Sequence, residues 1–381
     1  MRTAAVVGTG LIGTSVALAL SRRGVHVHLL DTDESAARTA AALGAGVVGR
    51  PSQPVDIAVL AVPPGLVGRT LAAEQAQGLA RSYTDVASVK AEPERDVLKR
   101  IADPDCYIGG HPMAGRERSG PLAACATLFE GRSWVLTPSA VTSRETLNRA
   151  LEVVALAGGV PVLMESDSHD RAVALVSHTP HVVASLMAAR LQHSPDEASQ
   201  LAGQGLRDVT RIAGGDPRLW GDILEANADA VANVLGELAE DLSAMVAALR
   251  RLAGEDQLER SLGLTQVTEL LDRGRLGRER IPGKNGATLR CTPVRVLIGD
   301  QPGELARLLA DAAELAVNVE DMTIDHAPGG VSGLVELMVS PSSALPTVQR
   351  LWERGWQVQR IPGLPCERLP ERPALSGSTA G

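Results

Sequence analysis

Residues 3–15 read TAAVVGTGLIGTS, a short β-branched run, then glycines at 8, 10 and 13, then an apolar stretch rich in Ala and Leu. This order constrains the fold more than any other feature of the chain. A strand that turns through closely spaced glycines straight into a helix opens a parallel βαβ unit, because only glycine allows so tight a turn and so close a helix–strand approach. The helix N-terminus offers free N–H groups to a negative charge, and Gly8, Gly10, Leu11, Ile12 and Gly13 form the cradle. A second run, VHVHLLD, ends at Asp31, 18 residues beyond Gly13, where a carboxylate can accept hydrogen bonds from an adenosine ribose. The same charge, with Asp33 beside it, repels a 2′-phosphate. NAD is therefore expected rather than NADP, although Arg38 lies close by.

Further β-branched runs follow at 56–62, 82–88, 106–112 and 133–138, separated by helical patterns, so six strands are expected in a parallel sheet covered by helices. The strand signal then fades after GVPVLM (159–164). Long amphipathic stretches such as HDRAVALVSHTPHVVASLMAARL take over and imply an all-α domain whose apolar helices can pair with a second copy of the chain. LLDRGRLGRERIPGKNG (270–286) reads as a charged linker, and residues 288–361 repeat the order βαββαβ of a small ferredoxin-like sandwich. The expected organisation is α/β: a Rossmann dinucleotide-binding domain at 1–160, a helical substrate and dimerisation domain at 161–280, a ferredoxin-like module at 286–361 and a disordered tail at 362–381.

The totals exclude some function classes. A formal net charge of -8 and only seven aromatic residues (Phe, Tyr and Trp) in 381 give neither the basic surface nor the stacking platforms of a nucleic-acid binder. The four cysteines form no C-x-x-C pair, no uninterrupted apolar run reaches 18 residues, and the N-terminal apolar stretch lacks a secretory cleavage site. A cytoplasmic setting is expected, with no membrane partner.

Within the sheet pattern, GGHPMAG (109–115) places His111 after a strand, at the edge where open α/β sheets bind ligands. Such a histidine can share a proton near neutral pH, or it can simply bond a turn. His178 and His181 form H-x-x-H, but Pro180 between them and the lack of a third ligand argue against a metal. Arg207 and Arg211, taken alone, are charges on a helix face.

Together, GGHPMAGRERSG, TDVASVK (84–90), SHTPHVVA (177–184) and LRDVTRIAGGDPRLWGDI (206–223), with the glycine loop, resemble the prephenate and arogenate dehydrogenase family over residues 1 to about 255. The resemblance implies oxidative decarboxylation of a cyclohexadienol: hydride passes to NAD, the ring carboxylate leaves as CO2 and the ring becomes aromatic. It implies that His111 is the catalytic histidine and that Ser88 orients it or shares the hydroxyl contact. Ala87 stands where the family motif has glycine, and capping the following helix is the alternative role of Ser88. Lys90 is then a candidate for attracting a substrate carboxylate, Arg211 for binding one with Arg207 as second candidate, and His181 and His178 for the pyruvyl end. Prephenate is the expected substrate because His181 is retained, with arogenate and 4-amino-4-deoxyprephenate as the alternatives.

IGDQPGELARLLADAAELAVNVEDM (298–322) resembles the start of an ACT domain, which places Asp300, Gly303 and Asn318 where that family contacts an effector. Tyrosine is the expected effector, and a purely structural module is the alternative. A 3-hydroxyacid dehydrogenase shares the layout but uses a lysine in its helical domain, and residues 151–255 contain none. A non-enzymatic NAD and amino-acid sensor would leave His111, Ser88 and Arg211 without purpose.

Overall fold

The computed structural model describes residues 1–115, 119–195, 200–281, 291–326 and 332–359, so the tail expected at 362–381 lies outside the described residues. Contacts divide the chain into two compact units, Met1–Leu242 and Ser243–Gly381.

The first unit is built on eight strands: β1 (Thr3–Val7), β2 (His26–Leu30), β3 (Val47–Val48), β4 (Ile57–Leu60), β5 (Tyr83–Asp85), β6 (Tyr107–Pro112), β7 (Ser133–Thr137) and β8 (Val160–Leu163). Their order, β3-β2-β1-β4-β5-β6-β7-β8, reverses direction between β1 and β4. That reversal opens the crevice at which doubly wound sheets bind nucleotides. Helices α1 (Leu11–Arg22), α2 (Glu34–Ala42), α3 (Val67–Ala76), α4 (Ala91–Arg100) and α5 (Arg144–Leu156) cover the two faces.

The pattern of burial explains the central strands. Ala4 and Val6 of β1, with Ile57 and Val59 of β4, belong to one core cluster, while Ala5, Val7, Ala58 and Leu60 belong to the other. Alternate residues thus face opposite helical layers, and a strand buried on both sides reads as an unbroken apolar run.

Two expectations about this sheet are corrected. The sheet is not wholly parallel, because β6 pairs antiparallel with β7. A parallel return needs a crossover element, and between β6 and β7 the described residues hold only a 3-10 turn at Pro121–Ala123. The sheet also has eight strands rather than six, because β8 adds the GVPVLM run and the two-residue β3 is too short to leave a period in the sequence.

The rest of the first unit is helical. α6 (Ser166–Val173) runs through a π-helical turn, Ala174–His178, into α7 (Thr179–Leu191). Then come α8 (Gln204–Thr210), a 3-10 turn at Arg211–Gly214, α9 (Pro217–Ala226) and α10 (Ala228–Leu252), which runs on past the boundary between the units. The run Ser166–Leu191 is long and apolar enough to cross a membrane by composition alone. It buries His169, Asp170 and His178 among hydrogen-bonding partners of the same unit.

In the second unit α11 (Gln257–Arg278) occupies part of the segment expected to be a linker, and that expectation is corrected as well. Arg275 pairs with Asp272 and Glu279 three and four residues away, which supports a helix despite Gly274 and Gly277. The module that follows has β9 (Thr292–Gly299), α12 (Glu304–Glu314), β10 (Asp321–His326), β11 (Ser332–Val339), α13 (Pro341–Glu353) and β12 (Gln357–Val358). Its antiparallel order β10-β11-β9-β12 is the ferredoxin-like arrangement, with Val294, Val296, Val335 and Leu337 buried beneath Leu308, Val348 and Leu351.

Candidate active site

The glycine turn has two kinds of glycine. Gly8 has φ 97°, and a Cβ on it would stand 2.2 Å from the Ala61 carbonyl oxygen; a Cβ on Gly13 would stand 1.9 Å from that of Gly8. Both are demanded by the packing of α1 on the sheet. A Cβ on Gly10 would meet nothing within 4 Å, and Gly10 is exposed at the N-cap of α1 just ahead of Leu11, Ile12 and Gly13. Open space in front of the first amides of a helix suits an approaching phosphate.

Asp31 follows β2. Its Oδ2 accepts the Thr9 amide at 2.6 Å and the Thr9 hydroxyl at 2.8 Å, and its Oδ1 accepts the Asp33 amide at 2.8 Å. Burial alone would raise its pKa, but these donors outweigh it and hold the carboxyl below the ordinary value. The Thr32 amide is a fourth donor, so the roughly four acceptor positions of the carboxylate are taken within the chain and a ribose hydroxyl would replace one of these local donors. Arg38 is paired with Glu34 at 2.6 Å on the exposed side of α2. The donor set therefore fits an adenine dinucleotide without a 2′-phosphate.

His111 is the penultimate residue of β6. A Cβ on Gly110 would come within 2.6 Å of the Asp85 carbonyl oxygen, and one on Gly109 within 2.4 Å of the Thr137 hydroxyl. The two glycines thus let β6 lie directly on a buried polar layer. In that layer Asp85 accepts the Tyr107 hydroxyl at 2.7 Å and the Ala87 amide at 2.8 Å. Lys90 Nζ pairs with Asp85 and donates to the Gly110 carbonyl at 2.6 Å.

The expectation that Lys90 attracts a substrate carboxylate is accordingly corrected. Both side chains of the Lys90–Asp85 pair are fully buried, and the ammonium anchors the strand below His111. Burial pulls the Lys90 pKa down against the opposing attraction of Asp85. Ser88 is half-buried in the turn after β5 and does not cap α4, which starts at Ala91 with no side-chain cap from its N-cap residue. Its amides are met instead from the helical part of the chain: Asp170 accepts the Lys90 amide through Oδ1 and the Ala91 amide through Oδ2, each at 2.8 Å.

From His111 a continuous set of contacts leads outward. Its Nδ1 lies 2.8 Å from His169 Nε2, and His169 Nδ1 lies 2.7 Å from Asp170 Oδ1. Asn227 donates to the Asp170 carbonyl at 2.9 Å and reaches His178 Nδ1 at 3.1 Å. His178 meets the edge of Trp220, whose face stacks on His181 at 3.5 Å between centroids and 7° between planes. The His181 ring also bonds the Ile212 carbonyl, next to Arg211 in the chain. Within the helical part, the π turn ends at His178 and Gly215 leaves room for Trp220, where a Cβ would stand 2.5 Å from the indole nitrogen.

The structure thus joins His111, His178 and His181 through one buried network. Arg211 is exposed at the start of the adjoining 3-10 turn, and Arg207 is exposed one turn earlier on α8. Burial, with the nearby His169, Lys90 and His178, holds the His111 pKa well below that of a free imidazole. Burial lowers His178 to about 4 despite Asp170, and lowers His181 against the bond to Ile212.

Sequence reasoning passed over His169, Asp170, Asn227, Trp220 and Asp85. The adjacent pair His169–Asp170 was visible in DSHDRAV as two polar groups opening an otherwise apolar helical run, but its partners are about 60 to 80 residues away in the chain.

The chain is similar in sequence and in fold to known proteins. The model for the prephenate dehydrogenase nucleotide-binding domain matches residues 16–163, and that for the prephenate dehydrogenase dimerization domain matches residues 165–264. The chain is 39% identical over 360 residues to the probable prephenate dehydrogenase NovF of Streptomyces niveus, covering 93% of this chain and 99% of that protein. It is 26% identical over 352 residues to the prephenate dehydrogenase of Bacillus subtilis, covering 88% and 91%. Among solved structures, the prephenate dehydrogenase of Aquifex aeolicus in complex with hydroxyphenyl propionate and NAD+ superposes with a TM-score of 0.63 at 28% identity, covering 73% of this chain and 97% of that one. Synechocystis arogenate dehydrogenase superposes at 0.61 with 27% identity, covering 73% and 99%. With its nucleotide-binding crevice and its buried histidine network both in place, the chain belongs to the prephenate dehydrogenase family of NAD-dependent oxidoreductases.

Proposed function

We propose that this chain, as a homodimer, converts prephenate to 4-hydroxyphenylpyruvate by oxidative decarboxylation with NAD, in the formation of tyrosine. The observation that carries the reading is His111, held at the ligand-binding edge of the sheet with Nδ1 committed to His169, which leaves Nε2 for the ring hydroxyl of the substrate. The Gly8–Gly13 turn and Asp31 would hold NAD, which would supply the hydride acceptor. The chain's own groups do the rest. His111 accepts the hydroxyl proton as the C–O bond gains double-bond character, and it returns that proton to the phenolate oxygen once CO2 has left and the ring is aromatic.

Ser88 shares the hydroxyl contact. Arg211 binds a carboxylate with its planar fork, Arg207 adds positive charge, and His181 on Trp220 meets the pyruvyl end with His178 behind it. Neutral imidazoles suit that end, because they donate a hydrogen bond without needing to be charged. In the second unit Gly303 takes a left-handed conformation (φ 96°) at the N-cap of α12, so the free amides of that helix, with Asp300 and Asn318, offer a site to the carboxylate of a tyrosine effector.

The test is initial-rate measurement with prephenate and with arogenate, each with NAD and with NADP, on the full chain. Prephenate with NAD should give the highest kcat/KM. Preference for arogenate would redirect the substrate assignment, and turnover of neither would overturn the function.

A further inference from the structure

We infer that His169 and Asp170 are positioning residues that fix the tautomer of His111 and so make its Nε2 the proton acceptor. The inference deepens the reading above and rests on it for the reaction concerned. An ionised carboxylate accepts hydrogen bonds and donates none. Asp170 receives three donors, the amides of Lys90 and Ala91 at 2.8 Å and the His169 ring at 2.7 Å. Two of these are main-chain N–H groups at the N-terminus of α4, a place that favours negative charge.

The assignment of protons then follows in order. His169 Nδ1 carries its hydrogen and gives it to Asp170. His169 Nε2 therefore holds a lone pair, and the 2.8 Å contact to His111 requires the hydrogen to sit on His111 Nδ1. His111 Nε2 is left with a lone pair toward the substrate. When that nitrogen takes the hydroxyl proton, the positive charge is shared through His169 to the Asp170 carboxylate, and it is discharged when the proton goes back to the phenolate oxygen. The carboxylate acts as in a Ser-His-Asp triad, with a second imidazole inserted between it and the catalytic one.

Asp170 lies 80 residues from Lys90 in the chain, so its bonds to α4 tie the helical part to the nucleotide-binding part. His111 acquires the reactive tautomer only when those two parts of the first unit are docked. A substrate-binding helix and a hydride-accepting crevice are thereby set up together.

The test combines the tautomer with kinetics on the full chain. With 15N-labelled histidine, the His111 ring should give the NMR signature of the Nδ1–H tautomer. In Asp170→Asn an NH2 set at the Oδ1 position faces His169 Nδ1 and reverses both tautomers at the loss of the Lys90 amide bond, because Oδ1 meets both groups, while the oxygen keeps the Ala91 amide. By analogy with the triad aspartate, kcat should fall by about 10²- to 10⁴-fold, with the prephenate KM and NAD Kd changing by less than about threefold. His169→Gln keeps an amide oxygen for His111 Nδ1, so it should retain at least about tenfold more kcat than His169→Leu. This second pair carries the test if Asp170→Asn fails to fold. An Nε2–H tautomer in the unsubstituted protein, or equal kcat for His169→Gln and His169→Leu, would overturn the inference. If the unsubstituted protein does not oxidise prephenate, the functional reading falls instead, while the NMR signature still decides the tautomer.

Discussion

Lys90 and His111 lie within one short stretch of polar core, and what each does is decided by the charges around it. A lysine in a sequence is by default an exposed cation, and only burial beside a partner makes it a structural anchor. The family resemblance located Lys90 but could not disclose Asp85 beneath it, because the pairing depends on how β5, β6 and α4 stack. Replacing Lys90 by Met removes one partner of a fully buried ion pair and should cost about 3–5 kcal/mol in denaturant unfolding. A substrate-binding lysine would instead leave stability nearly unchanged and raise the prephenate KM. The histidines make a prediction of their own. Burial holds His111 and His178, the latter at about 4, below the pKa of an unfolded imidazole near 6.5. Below 6.5 the unfolded chain therefore binds more protons than the folded one, and their contribution to stability is present above 6.5 and is lost as the pH falls through about 4. Unfolding midpoints measured from pH 7 to pH 4 should fall steadily, and a flat profile would contradict neutral, buried imidazoles.

At the scale of elements, the sequence marks what is periodic and local. The glycine turn, the βαβ order and the βαββαβ module all follow from spacing. α11 was hidden because Arg, Gly and Asp dominate its last turns, and its helicity there is supported by ion pairs rather than an apolar stripe. The His169–Asp170 pair was hidden for the opposite reason, since it lies in plain helical sequence and acquires meaning only from α4. The two kinds of glycine in the first turn separate by experiment. Gly13→Ala forces a Cβ against the Gly8 carbonyl and should cost about 1–3 kcal/mol of overpacking, or more, in thermal melts without cofactor. Gly10→Ala should melt like the parent chain but weaken NAD binding by at least about tenfold, a loss of about 1.4 kcal/mol. Equal effects of the two on the cofactor-free melt would contradict a cradle that opens at Gly10.

For the whole molecule, the helical region leaves a stripe unburied. Leu238, Leu242 and Leu249 are exposed on one side of α10, at the spacing of a single helix face. Two such faces packed together would form the homodimer proposed above, and a charge in the middle of one should open it. Leu242→Glu should sediment as a monomer where the parent sediments as a dimer; an unchanged dimer would move the interface elsewhere. In the function proposed above, the imidazole of residue 111 does proton chemistry beside a separately built cofactor site. The most direct measurement replaces His111 by Asn and records NAD binding and prephenate turnover on the same preparation. The NAD Kd should stay within about twofold while kcat falls by about 10²- to 10⁴-fold. Retained turnover, or loss of both together, would contradict the account.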